Sequence, residues 1–149
     1  MSKIDVYLEL WDYLRHHGLQ TIEVIDKADA WDYRINSNEY SVKETFLHAV
    51  QAIFEDAGNW FLNDPARFRS TDNPAKDLHK AIDRMVSAIQ DFSDADLEAP
   101  FVFQWGETTT IGGAIRQNLF HAVGHFSQVR NWAGILSRSK SRKAGTTYL

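Results

Sequence analysis

The run TIGGAIRQNLFHAVGHFSQVRNWAGILS, residues 110–137, carries the clearest indication of the architecture of this chain. Its apolar residues recur every three or four positions, the spacing that places them on one face of an α-helix. They are Ile111, Ile115, Ala122, Phe126, Val129 and Ala133. The pattern predicts one long amphipathic helix that starts near Thr110, ends near Ser137 and buries this face against other helices.

Three more amphipathic helices precede it, over about residues 3–26, 41–62 and 74–92. The second begins with SVKE, in which Ser41 and Glu44 have the spacing of a capping box. Asn73 followed by Pro74 is typical of the start of a helix. Four such helices in 149 residues predict an all-α fold, a four-helix bundle in a single domain.

The segments outside the helices add to this interpretation. Residues 27–40 and 93–109 are long connections, which argues against a simple up-down-up-down order. The first contains three aromatic residues that predict a loop packed on the bundle, and the alternating aromatics of the second predict an extended arm or hairpin. We expect the bundle to span residues 1–138 and residues 139–149 to form a basic, solvated tail.

Charge and composition exclude several classes of protein. The net charge is −4, without the basic footprint of a nucleic-acid binder. The chain has no cysteine, so any metal must be held by His, Asp, Glu or water. No run approaches the ~18 apolar residues of a membrane helix, and the charged residues near the N-terminus do not fit a signal peptide. We therefore expect a cytoplasmic protein with neither a membrane nor a nucleic-acid partner.

Two histidines on the last helix are the first candidates for a functional site. His121 and His125 are four residues apart, so their side chains lie on one face, about one turn from each other. Such a pair can chelate one metal ion, although Ala122 stands where the HExxH motif has glutamate. Gln128 shares this face and is a candidate for orienting a ligand or a histidine. Spacing alone leaves open a metal site or a surface pair.

A third ligand must come from another helix, and His48 on the second helix is the candidate. At ~100° per residue, His48 points away from the centre of the apolar face of its helix. Spacing therefore leaves two interpretations: an exposed histidine, or a polar groove in which Glu44 or Glu55 serves as an additional ligand, a hydrogen-bond acceptor or a general base. We expect His16, His17 and His79 to lie at the surface.

The two motifs together resemble the DinB superfamily of small bacterial bundles. The similarity lies in SVKETFLH, residues 41–48, and in HAVGHFSQ, residues 121–128, and it extends over about residues 4–137. The segment Trp31-Asp32-Tyr33-Arg34 is also similar to the family's approach to the second helix. The sequence departs from the family pattern at Gly124, at Phe126-Ser127 and at Ile35-Asn36, where other residues are common in the family.

The resemblance implies a bundle in up-down-down-up order that forms a homodimer. It also implies that His48, His121 and His125 bind a divalent transition metal, zinc or nickel. Three histidines on a tetrahedral ion leave one position open, as in a catalytic site. Some relatives transfer low-molecular-weight thiols, so the first hypothesis is a metal-dependent enzyme that transfers a thiol to an electrophile.

Other functions stay open at this point. One is a non-catalytic metal-binding or stress-response protein that dimerises. Another is a metal-dependent hydrolase, which requires a general base, and Glu44 and Glu55 are the weak candidates for that role. A third is a helical dimerisation protein without a site.

Overall fold

The computed structural model describes residues 1–143, which form four long helices and one small hairpin. The helices are α1 (Lys3–Ala28), α2 (Val42–Asp56), α3 (Pro74–Gln90) and α4 (Ile111–Lys143). A π-helical segment, Ala57–Leu62, continues α2, and a 3₁₀ turn, Asp96–Glu98, follows α3. The strands β1 (Pro100–Val102) and β2 (Thr108–Thr110) pair antiparallel, with Phe101 opposite Thr109. The four predicted helices are therefore confirmed, and of the two alternatives expected for residues 93–109, an extended arm or a hairpin, the chain forms the hairpin.

The helix starts follow the side-chain chemistry predicted for them. The Asn73 side chain accepts a hydrogen bond from the Lys76 amide at 3.1 Å, and the Ser41 hydroxyl accepts one from the Glu44 amide at 3.0 Å. The capping box at Ser41 is only half formed, however. The Glu44 carboxylate accepts hydrogen bonds from the Ser41 hydroxyl and the Arg34 guanidinium instead of returning to the Ser41 amide.

The end of α4 differs from the prediction. The helix runs past Ser137 to Lys143, so residues 139–143 are helical and do not belong to a separate tail. The Lys140 ammonium donates to the Ala28 carbonyl at 2.9 Å, at the C-terminal end of α1. A cation at this point stabilises the exposed carbonyls of a helix terminus. The rest of the predicted tail, residues 144–149, lies outside the described residues.

The packing of the bundle places α1 against α3 and α4, and α2 against the same two helices. Phe46 of α2 and Phe126 of α4 are both fully buried, and their rings stack with centroids 5.2 Å apart. Trp31, from the connection between α1 and α2, meets Phe46 edge-on at 5.5 Å. That connection is thus packed on the bundle, as its aromatics predict.

The hairpin determines where α4 begins. Phe101 and Phe103 pack edge-on against Trp60 at 5.5 Å and 5.3 Å, which fixes the hairpin to the π-helical segment that continues α2. β2 leads directly into α4, and the Thr110 hydroxyl accepts from the Gly113 amide at 3.0 Å. Within residues 1–143, no helix is both long enough and apolar enough to cross a membrane.

A substitution at Gly18 tests the close packing of α1. A Cβ atom at this position would lie 2.6 Å from Leu78 Cδ2 and 3.3 Å from Phe126 Cε2, and both neighbours are fully buried. We expect Gly18→Val to lower the free energy of unfolding by about 1–3 kcal/mol through overpacking. Gln20→Val, at an exposed position of the same helix, is the control for the β-branched side chain. Equal urea midpoints for the two variants would contradict the packing described here.

Candidate metal centre

The three histidines lie next to the apolar contact between α2 and α4. His48 follows Phe46 by two residues on α2, and His125 directly precedes Phe126 on α4. His48 is exposed, whereas His121 and His125 are half-buried. The structure therefore brings together the three residues that the resemblance singled out.

The distances between the imidazole nitrogens suit a single small cation. His121 Nε2 lies 3.2 Å from His48 Nε2 and 3.1 Å from His125 Nε2. A ligand nitrogen can be chosen on each ring so that all three lie within 4.8 Å of one another. Nitrogens bound ~2.0–2.1 Å from a tetrahedral zinc ion are ~3.3–3.4 Å apart. The donor set fits a divalent transition metal, because imidazole suits zinc, nickel, copper and iron.

Gln128 orients one of the three rings. Its Oε1 atom lies 3.1 Å from His125 Nδ1, so a proton on Nδ1 donates to the amide oxygen. That tautomer leaves the lone pair of His125 Nε2 directed at the other two histidines. Hydrogen bonds of this kind hold a metal-binding histidine in its ligating orientation. The expectation that Gln128 orients a histidine agrees with this geometry.

The protonation state of the histidines also favours a cation. Burial, followed by the proximity of His125 and His48, lowers the pKa of His121 to about 4. Packing of the His48 ring against α4, followed by the proximity of His125, lowers the pKa of His48. Both rings are therefore neutral at pH 7 and have lone pairs to offer, which is the form that binds metal.

A cleft of about 380 Å³ opens beside His48 and His125. Its other lining residues come from the α1–α2 connection, from α2 and from α4: Glu39, Tyr40, Glu44, Thr45, Gln128 and Trp132. Trp132 is 7% exposed and forms an apolar wall, whereas Tyr40 is 71% exposed and stands at the rim. The cleft has room for a small molecule next to the three histidines.

The two glutamates named from the sequence have different positions. Glu44 lines the cleft, but its carboxylate is paired with Arg34 and accepts from the Ser41 hydroxyl. Glu55 does not line the cleft. Its carboxylate accepts from the Phe68 amide at 3.3 Å, in the connection between α2 and α3. Glu55 thus anchors the connection between α2 and α3, and it does not belong to the histidine cluster.

The remaining histidines are not gathered at the site. His16 is exposed, as expected. His17 is not a surface residue: it is half-buried, packs 6.1 Å from the Phe126 ring, and its Nδ1 lies 3.1 Å from Arg130 NH1. Burial and then Arg130 lower the pKa of His17. His79 is half-buried as well, with its Nδ1 2.7 Å from Arg15 NH1.

A buried polar pair beside the site was not found from the sequence. Asn118, one turn before His121 on α4, donates from Nδ2 to the Asp56 carboxylate at 2.8 Å. Burial raises the pKa of Asp56 to about 6, with a further rise from Glu55, although the Asn118 hydrogen bond opposes the shift. Asn118 Oδ1 is buried without a hydrogen-bond partner among the described residues. The only sequence signal was a polar residue next to the apolar stripe of α4.

The chain matches no protein-family model, and no curated protein matches it either. What the protein does must therefore be inferred from the site itself.

Metal titration tests the histidine site. We expect the wild-type protein to bind one zinc ion per chain in competition with a chromogenic chelator, because three imidazoles converge. His48→Ala should abolish tight binding, and Gln128→Ala should weaken it about 10–100-fold through loss of ring orientation. His16→Ala, at an exposed histidine away from the site, should bind zinc like the wild type. Wild-type affinity in His48→Ala would contradict the assignment.

Asp56→Asn tests the buried polar pair through the pH dependence of stability. Because the pKa of Asp56 rises from 3.8 to about 6 on folding, its contribution to stability is present at low pH and is lost as the pH rises across this interval. Asparagine stays neutral and can also donate to the orphan Oδ1 of Asn118. We expect Asp56→Asn to stabilise the protein at pH 7.5 by about 1–2 kcal/mol, since solvent screens part of the carboxyl.

The measurement is urea unfolding at pH 7.5 and at pH 4. The gain should shrink at pH 4, where the wild-type carboxyl is protonated, and Asp32→Asn at an exposed loop position should show neither effect. A destabilised Asp56→Asn variant at pH 7.5 would show that the charged carboxylate is the form that the fold requires.

Proposed function

We propose that this protein is a DinB-like, metal-dependent enzyme that transfers a low-molecular-weight thiol to an electrophile. In this proposal His48, His121 and His125 hold the metal, zinc or nickel. The observation that carries the proposal is the convergence of three imidazole nitrogens at the edge of a cleft of about 380 Å³. Three protein ligands leave a tetrahedral ion with one position for a small molecule.

A divalent cation, when bound, lowers the pKa of a coordinating thiol so that the thiolate forms near pH 7. This chemistry suits a chain without cysteine, because the nucleophile arrives with the cosubstrate. The balanced reaction with an aryl halide forms one sulfur–carbon bond and breaks one carbon–halogen bond. The thiol proton passes to solvent and the halide leaves.

The residues of the chain contribute binding and orientation. Trp132 provides a buried aromatic wall against which the apolar part of a cosubstrate can pack. Gln128 holds the His125 ring in place through its 3.1 Å contact with Nδ1. Arg34 bridges Glu44 and the Glu39 carbonyl, and so ties the α1–α2 connection to the rim of the cleft. These contacts keep the cleft in one shape before a ligand arrives, which reduces the entropic cost of binding.

Hydrolysis is the less favoured reaction at this site because it requires a general base. Two carboxylates line the cleft. That of Glu44 is engaged by the Arg34 guanidinium and the Ser41 hydroxyl, and Glu39 belongs to an exposed part of the α1–α2 connection. The carboxyl of raised pKa, that of Asp56, is held by Asn118 and does not line the cleft. Thiol transfer needs no such base on the protein.

The contacts between helices support the up-down-down-up order that accompanies this proposal. Tyr7, near the start of α1, donates to the Gly112 carbonyl near the start of α4 at 3.4 Å. Lys140 and Ala28, near the ends of the same two helices, are also bonded. These two contacts favour a parallel arrangement of α1 and α4.

Corresponding contacts favour the opposite direction for α2 and α3. His48 lies beside His125, and Asp56, about two turns later on α2, lies beside Asn118, which precedes His125 on α4. These two contacts favour an antiparallel arrangement of α2 and α4. The amide of Ile4 donates to the Asp94 carboxylate just beyond α3, whereas Arg15 contacts His79 and Asp83 within that helix. In the proposed order α1 and α4 point one way, and α2 and α3 point the other.

A thiol-conjugation assay tests the proposed activity. We expect zinc- or nickel-loaded protein to accelerate the reaction of a small thiol with a chromogenic aryl halide, because the site stabilises the thiolate. His48→Ala should reduce the rate to the uncatalysed background, while the exposed-site control His16→Ala should retain the full rate. Absence of any metal-dependent rate with a panel of thiols would refute the activity and leave a binding role for the site.

A further inference from the structure

A second cleft, of about 390 Å³, opens between the N-terminal parts of α1 and α4, and none of the three histidines lines it. Its apolar wall consists of Val6, Leu10 and Leu97. Leu97 is buried, whereas Val6 and Leu10 are 43% and 36% exposed. A cavity of about 150 Å³ is sufficient for a benzene ring. The cleft therefore offers an apolar surface and enough room for a small organic molecule.

Arg116 forms the polar part of this cleft, and it is held in place by the core. Its NH1 atom donates to the Tyr7 hydroxyl at 2.5 Å, and that hydroxyl donates to the Gly112 carbonyl at 3.4 Å. Tyr7 is only 9% exposed, so the oxygen that positions the guanidinium cannot move freely. Arg116 itself is exposed, and its other N–H groups are accessible. A guanidinium positioned in advance loses less entropy when it binds a ligand.

Gly112, in the first turn of α4, makes this arrangement possible. A Cβ atom at this position would lie 2.9 Å from the Tyr7 hydroxyl oxygen and 3.4 Å from Arg116 NH1. The missing side chain lets the guanidinium lie beside the start of α4, where backbone N–H groups have no partner within the helix and the helix dipole is positive. An anion bound to Arg116 is therefore also favoured by the end of α4.

The charges around the cleft leave one cation for a ligand. The charged residues that line it are Lys3, Glu98 and Arg116, and the first two pair with each other at 3.0 Å. None of the ion pairs formed within residues 1–143 includes Arg116. A single uncompensated guanidinium matches a ligand with one negative charge. The Glu98 carboxylate at the rim disfavours a polyanion, because like charges brought together cost free energy.

We propose that this cleft binds a small organic monocarboxylate. Arg116 donates two parallel hydrogen bonds to the carboxylate, since its planar fork fits both carboxylate oxygens. The aliphatic or aromatic part of the ligand packs against Val6, Leu10 and Leu97, and the apolar area removed from water adds to the affinity. Binding at this cleft does not depend on the activity proposed above.

Titration of the complete chain with small carboxylates, followed by ¹H–¹⁵N nuclear magnetic resonance, tests this site. Benzoate and hexanoate should cause saturable shifts of the Gly112 and Arg116 amide signals, and should bind at least about tenfold more tightly than benzamide and hexanamide. Arg116→Gln should weaken benzoate binding about 10–100-fold through loss of the charged hydrogen bonds. Tyr7→Phe should weaken it as well, because the guanidinium loses the oxygen that positions it.

Two control variants locate the binding. Arg67→Gln removes an exposed arginine from the connection between α2 and α3, and His48→Ala removes the histidine cluster as a source of carboxylate binding. Both should bind benzoate like the wild type. The proposal would be overturned if neither carboxylate gave saturable shifts, or if Arg116→Gln, folded by circular dichroism, bound benzoate as tightly as the wild type. Tighter binding of inorganic phosphate than of benzoate would contradict the assignment of a monocarboxylate.

Discussion

Stacking of Phe46 on Phe126, with ring centroids 5.2 Å apart and planes 27° apart, sets the relation between α2 and α4. Both rings are fully buried, and Trp31 closes one side of the pair edge-on. The same pairing of α2 with α4 brings His48 into contact with His121 and His125. The site is therefore a consequence of core packing, and its geometry is held by apolar contacts that exist before any ligand binds.

The position of the three histidines at the border between core and water explains their protonation state and their accessibility. Burial on one side keeps His121 neutral, with a pKa of about 4, while the exposed His48 leaves the histidines accessible from the cleft. A fully buried triad would be closed to small molecules, and a fully exposed one would lose the orientation that Gln128 gives to His125.

Much of the fold could be predicted from the sequence, because helix caps and apolar spacing act locally. The contacts and burial of residues that face a neighbouring helix or connection could not be predicted in this way. His48 lies away from the centre of the apolar face of α2. It contacts the other two histidines only because α4 packs along that flank of α2. His17 is half-buried for the corresponding reason, since α1 packs against α4 at Phe126. Glu55 shares a helix with His48, yet its hydrogen bond to Phe68 depends on a connection whose path has no local signal.

The central claim is that one metal ion sits between His48, His121 and His125, and anomalous diffraction from crystals of the metal-loaded protein tests it most directly. Data collected on both sides of the zinc or nickel absorption edge locate the ion independently of any assay. The account predicts one strong anomalous peak per chain, ~2.0–2.1 Å from a ring nitrogen of each histidine, with one coordination position directed into the cleft. A peak bound elsewhere, or a peak that contacts only the His121–His125 pair, would contradict it.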